Sequence, residues 1–251
     1  MKYHYFHSSR TGLTRIEVVV LVLVIFLMLA LLFPFIAELG RSPDHRGVQC
    51  KNNIRQLGLA MSNVASMRRE YPSAQYMNQD GEVQYGWRIA ILPQLEQMQM
   101  YEHIMQNPPW DNEQNRQYES TLLSGFACPS YPDLWKRPGR TSYTVIVGPD
   151  TPFEGNRRST FDDFERGLSH TILIAETSQS VLWMEPVDLP YANLNYGIVP
   201  LSSKQWSVGS GHDGAACFVT ADGSVQTLNF SKKPDDVAEL KRMTWLKEPK
   251  Q

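Results

Sequence analysis

The chain opens on its least polar stretch. No residue from Val18 to Ala37 is charged, and a helix over that run rises about 30 Å, the thickness of a bilayer's hydrocarbon core. This predicts a membrane-spanning helix over residues 13–39. Glu17 stands at its mouth, where burying a carboxylate in lipid costs roughly 2 to 3 kcal/mol, so the acid needs a partner. Gly40-Arg41-Ser42-Pro43 then interrupts the pattern, because a proline inside a helix costs about 3 kcal/mol. A break is expected near residues 40–43, and Ser42-Pro43-Asp44 has the order of an N-cap, a first turn and an acidic second position. A second, amphipathic helix is expected within residues 40–70. Cys50, Ile54, Leu57, Met61 and Val64 share one face, and Lys51, Asn52, Arg55 and Ser62 take the other.

After that helix the apolar runs shorten. Tyr71-Pro72-Ser73 ends it and Asn78-Gln79-Asp80-Gly81 is turn chemistry. Trp87 to Leu92 reads as a short strand that turns at Pro93 into a helix carrying Leu95, Met98 and Met105. Further strands are expected at Tyr143 to Val147, Ile172 to Ala175 and Val181 to Trp183, with residues 148–158 as a loop. The clearest pair is Ala215 to Ala221 and Ser224 to Phe230 around Asp222-Gly223, since both turn residues tolerate positive φ. Residues 71–251 are therefore expected to form a β-rich globular domain, with a polar tail from Lys232 that has room for a short helix.

Charge adds orientation rather than chemistry. The 251 residues carry a net charge of −2 and a pI near 6.3, which argues against nucleic acid as a partner. Lys2, Arg10 and Arg15 precede the apolar run, while Glu38, Arg41, Asp44 and Arg46 nearly cancel after it. By the positive-inside rule the N-terminus faces the cytoplasm, and the chain crosses the inner, cytoplasmic membrane once, with everything after residue 40 outside. In that compartment Cys50, Cys128 and Cys217 can form one disulfide and leave one thiol. Cys50 faces the core and Cys128 closes an apolar run, so these two are the expected pair; three free core cysteines are the alternative.

The residues Arg10-Thr11-Gly12-Leu13-Thr14-Arg15-Ile16-Glu17 resemble the cleavage and methylation signature of type IV prepilins and type II secretion pseudopilins. The resemblance implies a leader of residues 1–12, cleavage between Gly12 and Leu13, methylation of the new amine, and Glu17 as the fifth mature residue. In a stack of subunits, the carboxylate of Glu17 would neutralise a neighbour's Leu13 amine, each cancelling the other's desolvation. Arg15 departs from the pattern, standing where an apolar residue is usual. A second resemblance is carried by His212, nine intervening residues and then Asp222-Gly223-Ser224-Val225. This is similar to the His-x9-Asp-Gly motif of a large bacterial family of unknown function whose members begin with a prepilin-type segment. Cys50 to Gly58, Trp87 to Gln97, Cys128-Pro129-Ser130, Ser169 to Leu173 with Glu176, and Trp183 to Tyr191 look like its recurring blocks in order. Arg166-Gly167-Leu168-Ser169-His170 differs where that family tends to read Asp-Gly-Thr-Ser-Asn. Together these imply a pilin-like α+β fold, a long N-terminal helix followed by a second helix packed on an antiparallel sheet with extra strands. The implied partners are a prepilin peptidase, sibling subunits, an assembly platform and membrane lipid.

Candidate chemistry is sparse. His212 with Asp222, Glu176 or Asp188 has the residue types of a metal or acid-base site, but Asp222 equally serves the hairpin turn. Without a second nearby histidine or a C-x-x-C cluster, no metal, cofactor or catalytic residue is assigned and no enzymatic activity is expected. Gly209-Ser210-Gly211 precedes no helix pattern and lacks a G-x-S-x-G context, so it is neither a phosphate cradle nor a nucleophile elbow. The expected role is a membrane-anchored structural or assembly subunit. The alternative is a tethered module binding a solute, sugar or peptide through exposed indoles among Trp87, Trp110, Trp135, Trp183 and Trp206.

Overall fold

A computed structural model describes residues 14–39, 45–121, 123–131, 137–193, 195–196, 207–209, 215–229 and 241–247. The chain divides into two compact units at His45. Helix α1 (Arg15–Leu39) lies in the first. It begins on a reciprocal cap, in which Glu17 Oε2 accepts from the Thr14 N–H at 2.7 Å and Thr14 Oγ1 accepts from the Glu17 N–H at 3.4 Å. From Val18 to Leu29 every apolar side chain is exposed, so the helix is apolar all round rather than amphipathic. Among the described residues no helix is long and apolar enough to cross a membrane. The side chains of α1 are described only through Ala30, while a span needs about 20 residues. The expected leader, the rest of the expected span and the expected break at 40–43 lie outside the described residues.

The second unit is mixed α and β. Helix α2 (His45–Arg68) buries Cys50, Ile54, Leu57, Met61 and Val64, the stripe read from spacing, together with Asn53, Gly58, Ala60 and Ala65. It ends where Arg69 turns to a φ of 63°. Strands β1 (Gln75–Met77) and β2 (Val83–Gly86) form a hairpin, closed by Asn78 Oδ1, which accepts from the N–H groups of Asp80 and Glu82, and by Gly81 at a φ of 82°.

The strand expected from Trp87 is instead a short helix, α3 (Trp87–Ala90), followed by a 3-10 turn at Leu92–Leu95 and helix α4 (Met98–Gln106). So short an apolar run carries no periodicity that separates a strand from a buried turn of helix.

Strands β3 (Arg140–Thr144), β4 (Ile146–Val147), β5 (Ile172–Leu182), β6 (Leu189–Pro190), β7 (Asn195–Tyr196), β8 (Ser207–Val208), β9 (Ala215–Thr220) and β10 (Val225–Asn229) complete the domain. Two strands expected separately, at 172–175 and 181–183, are the ends of one strand of 11 residues. The polar residues between them, Glu176, Thr177 and Ser178, hid the continuity, because they are buried rather than turning. β5 is the centre of the main sheet, antiparallel to β3, β8 and β9, with β10 beyond β9. β7 runs parallel to β8, and β4 and β6 make a separate parallel pair. The hairpin read from Asp222-Gly223 is β9 and β10 in register Val225 to Val219.

Helix and sheet meet closely at Gly58, where an added Cβ would stand 2.6 Å from Val219 Cγ2. The core joins Ile54, Leu57 and Met61 of α2 to Trp87, Leu173 and Val219.

Candidate functional site

Among the described residues of the second unit, two buried polar centres and one turn hold the chemistry-bearing side chains. The first centre surrounds a disulfide between Cys50 on α2 and Cys128, whose Cα atoms lie 5.0 Å apart. Asn53, one turn along α2, donates from Nδ2 to the carbonyls of Ser124 at 3.1 Å and Ala127 at 2.9 Å and so pins the segment that carries Cys128. The Tyr143 hydroxyl donates to the Cys50 carbonyl at 3.3 Å. Glu176 of β5 is wholly buried and accepts from the Cys217 N–H at 2.9 Å. Burial pushes its carboxyl up to about 7, against the pull of that N–H.

Cys50, Cys128 and Glu176 bring ligand-type atoms within 4.8 Å of one another. The two sulfurs are bonded to each other, so neither offers a thiolate to a metal. Cys217 is a buried free thiol. Burial first, and then Glu176, push it up to about 12, so it stays protonated and inert.

The second centre is an ion pair. Gly86 ends β2, α3 turns inward, and both Trp87 and Arg88 are buried. Arg88 Nη2 lies 2.7 Å from Asp188 Oδ1 with both side chains almost fully covered. The guanidinium also donates to the carbonyls of Tyr143, Glu185 and Val187. Asp188 Oδ1 further accepts from Trp87 Nε1 at 3.0 Å and from the Val145 N–H at 3.1 Å. Burial pulls Arg88 down and Asp188 up, and their mutual contact opposes both shifts. Asp188 Oδ2 is buried with no hydrogen-bond partner among the described residues. Asp188 also borders a half-open cavity of about 260 Å³, lined in part by Gln75, Val147, Gly155 and Pro186. A larger groove of about 540 Å³ runs along α2, between Gln56, Asn63, Gln97 and Phe126.

Asp222 makes the turn. Its Oδ1 accepts from the Thr220 hydroxyl at 2.6 Å and the Ser224 N–H at 2.9 Å, and Gly223 follows at a φ of 84°. Partial burial raises the carboxyl, but these hydrogen bonds outweigh it and hold it below its ordinary range. Gly12, Leu13 and His212 lie outside the described residues, and Glu17 belongs to the first unit.

Of the tryptophans expected to form a binding face, Trp87 and Trp183 are core residues, with their indole N–H groups spent on Asp188 and the Tyr118 carbonyl. Trp110 is half-buried, neither cavity is lined by an indole, and Trp135 and Trp206 lie outside the described residues.

The Arg88 and Asp188 pair, 100 residues apart, was not legible as a pair. A single arginine inside the apolar run Trp87 to Leu92 was the available signal, since a charge that the fold buries must find a counter-charge.

A family model described as "Protein of unknown function (DUF1559)" matches residues 45–188. No curated protein and no solved structure matches the chain.

Proposed function

The chain belongs to the DUF1559 family of proteins of unknown function, and from that premise we propose that it is a membrane-anchored, prepilin-like envelope subunit. The observation that carries this reading is α1, a helix of 25 residues whose described side chains from Val18 to Leu29 are apolar on every face and exposed. This stretch lies in an uncharged run from Val18 to Ala37, which as one helix would rise ~30 Å at about 1.5 Å per residue, the thickness of a hydrocarbon core. A helix of that composition is stable when surrounded by lipid or by copies of itself. Glu17 at its first turn supplies the acid that a prepilin-type N-terminus requires. The Cys50 and Cys128 disulfide supports an oxidising, extracytoplasmic setting for the second unit. In this reading a prepilin peptidase cuts between Gly12 and Leu13, and sibling subunits and an assembly platform receive the product. Mass spectrometry of the protein recovered from membranes tests it. The expected N-terminus is an N-methylated Leu13, and an intact Met1 or a start far from Leu13 overturns the proposal.

A further inference from the structure

The outward face of α2 serves neither the core nor the anchoring role just described. Val48, Lys51, Asn52, Arg55 and Leu59 recur at helical spacing and so share one face, away from the buried stripe that begins at Cys50. All five are exposed. An apolar side chain stands at each end, Val48 at 52% and Leu59 at 49% exposure. Between them Lys51 and Arg55 lie four residues apart, where like charges repel, and neither joins an ion pair among the described residues. From His45 to Arg69 the chain holds Arg46, Lys51, Arg55, Arg68 and Arg69 and no acid, although its net charge is −2. Positive charge is thus gathered on this helix and left without a counter-charge on it. The acid-free face ends at Leu59, whose Cδ2 is 3.8 Å from the place of a Cβ on Gly223; Asp222 beside it is already tied to Thr220 and Ser224.

Chemistry and chain length point to the same partner. A phospholipid surface offers anions to Lys51 and Arg55 and an apolar layer to Val48 and Leu59, whereas free phosphate or nucleic acid offers the anions without that layer. Residues 40–44 alone separate the end of α1 from the start of α2, and that length of chain reaches at most about 20 Å. A membrane that holds α1 therefore keeps the start of α2 within reach of its surface. We propose that the outward face of α2 docks on anionic phospholipid, with Lys51 and Arg55 on head-group phosphates and Val48 and Leu59 against the upper acyl carbons. The proposal rests on the anchoring of α1 and adds a lipid preference to it.

The test uses the full chain in lipid nanodiscs that hold one chain each, with a fluorophore on N52C. Cys50 and Cys128 are bonded to each other and Cys217 is buried, so the label goes to position 52. Discs of phosphatidylcholine are compared with discs that also contain phosphatidylglycerol, and a spin-labelled lipid serves as quencher in both. Quenching is expected in the phosphatidylglycerol discs, and it should fall in high salt. Each Lys or Arg near an anionic surface shifts the ratio of docked to free face about fivefold, so K51Q/R55Q, which leaves the core untouched, should lower it about 25-fold. No quenching, equal quenching in both lipids, or quenching unchanged in K51Q/R55Q overturns the proposal. Quenching that needs two chains per disc also overturns it, in favour of a second copy on this face. A chain that leaves the disc overturns the anchor and this proposal together, whereas one that stays with its label unquenched overturns this proposal alone.

Discussion

Replacing Glu176 by glutamine is expected to make the second unit more stable at neutral pH and to leave it almost unchanged in acid. The native carboxyl titrates near 7 because it is buried, against an ordinary value of 4.5. Between those two values the folded chain holds a proton that the unfolded chain has released, so wild-type stability falls as pH rises from 4.5 to 7 and is level beyond. One pKa unit corresponds to about 1.4 kcal/mol, which makes the full loss about 3 kcal/mol, a large share of a domain's usual margin. Glutamine keeps a carbonyl oxygen to accept the Cys217 N–H and has no proton to lose. The assay is urea unfolding of a fragment starting at His45, disulfide intact, followed by the fluorescence of buried Trp87 and Trp183 at steps from pH 4.5 to 8. Asp163 and Asp222, whose carboxyls are held below their ordinary range, titrate alike in both proteins and cancel in the difference. E176Q should match wild type near pH 4.5 and exceed it by about 3 kcal/mol above pH 7, at equal m-value. A difference that does not change with pH would refute the claim that a desolvated acid sits beside the disulfide.

Further perturbations probe other contacts. G58A pushes a methyl to within 2.6 Å of Val219 Cγ2, and thermal unfolding should show a loss of about 1 to 3 kcal/mol despite the better helix propensity of alanine. R88M strands the Asp188 carboxylate in the core and should cost about 3 to 5 kcal/mol, while an R88M/D188L double variant should recover much of it in the same denaturant titration. The C50A/C128A variant opens a loop spanning 78 positions and should lower stability by about 4 kcal/mol, read as the shift in denaturant midpoint against the oxidised wild type. At the N-terminus, E17A removes both the cap and the charge, whereas E17Q keeps an acceptor for the Thr14 N–H. Membrane insertion should survive both, and multimers on native gels should be lost in both.

Local chemistry explains which parts of the fold were legible. The α2 stripe from Cys50 to Val64 and the β9 and β10 hairpin are set by residues within one element, by helical spacing in the first and by a turn that needs positive φ in the second. The pairing of Cys50 with Cys128 followed from two apolar neighbourhoods that each had to face the core. What was not legible depends on distant partners. β5 reads as two strands until Glu176, Thr177 and Ser178 are seen to be covered by β3 and β8. α3 reads as a strand until Arg88 is seen to bond carbonyls of β3 and of the Glu185 to Asp188 turn.

Glu17 shows how one residue can satisfy two demands that differ in range. Within the chain it is the third residue of a helix whose N-cap is Thr14, and the reciprocal bonds between them satisfy two of the N–H groups that a helix start leaves open. An acid there also meets the positive end of the helix dipole. The cap is met by glutamine nearly as well as by glutamate, and the dipole returns only about 0.3 to 1 kcal/mol, less than the roughly 2 to 3 kcal/mol that a carboxylate costs at the edge of an apolar helix. The charge needs a cation, and processing after Gly12 would create one as an α-amine four residues before Glu17. In the proposed assembly of staggered copies, each carboxylate would meet a neighbour's amine while still holding its own Thr14. The cap therefore orients the carboxylate in the free subunit, and loss of multimers in E17Q with α1 still inserted would separate the ionic contact from the cap.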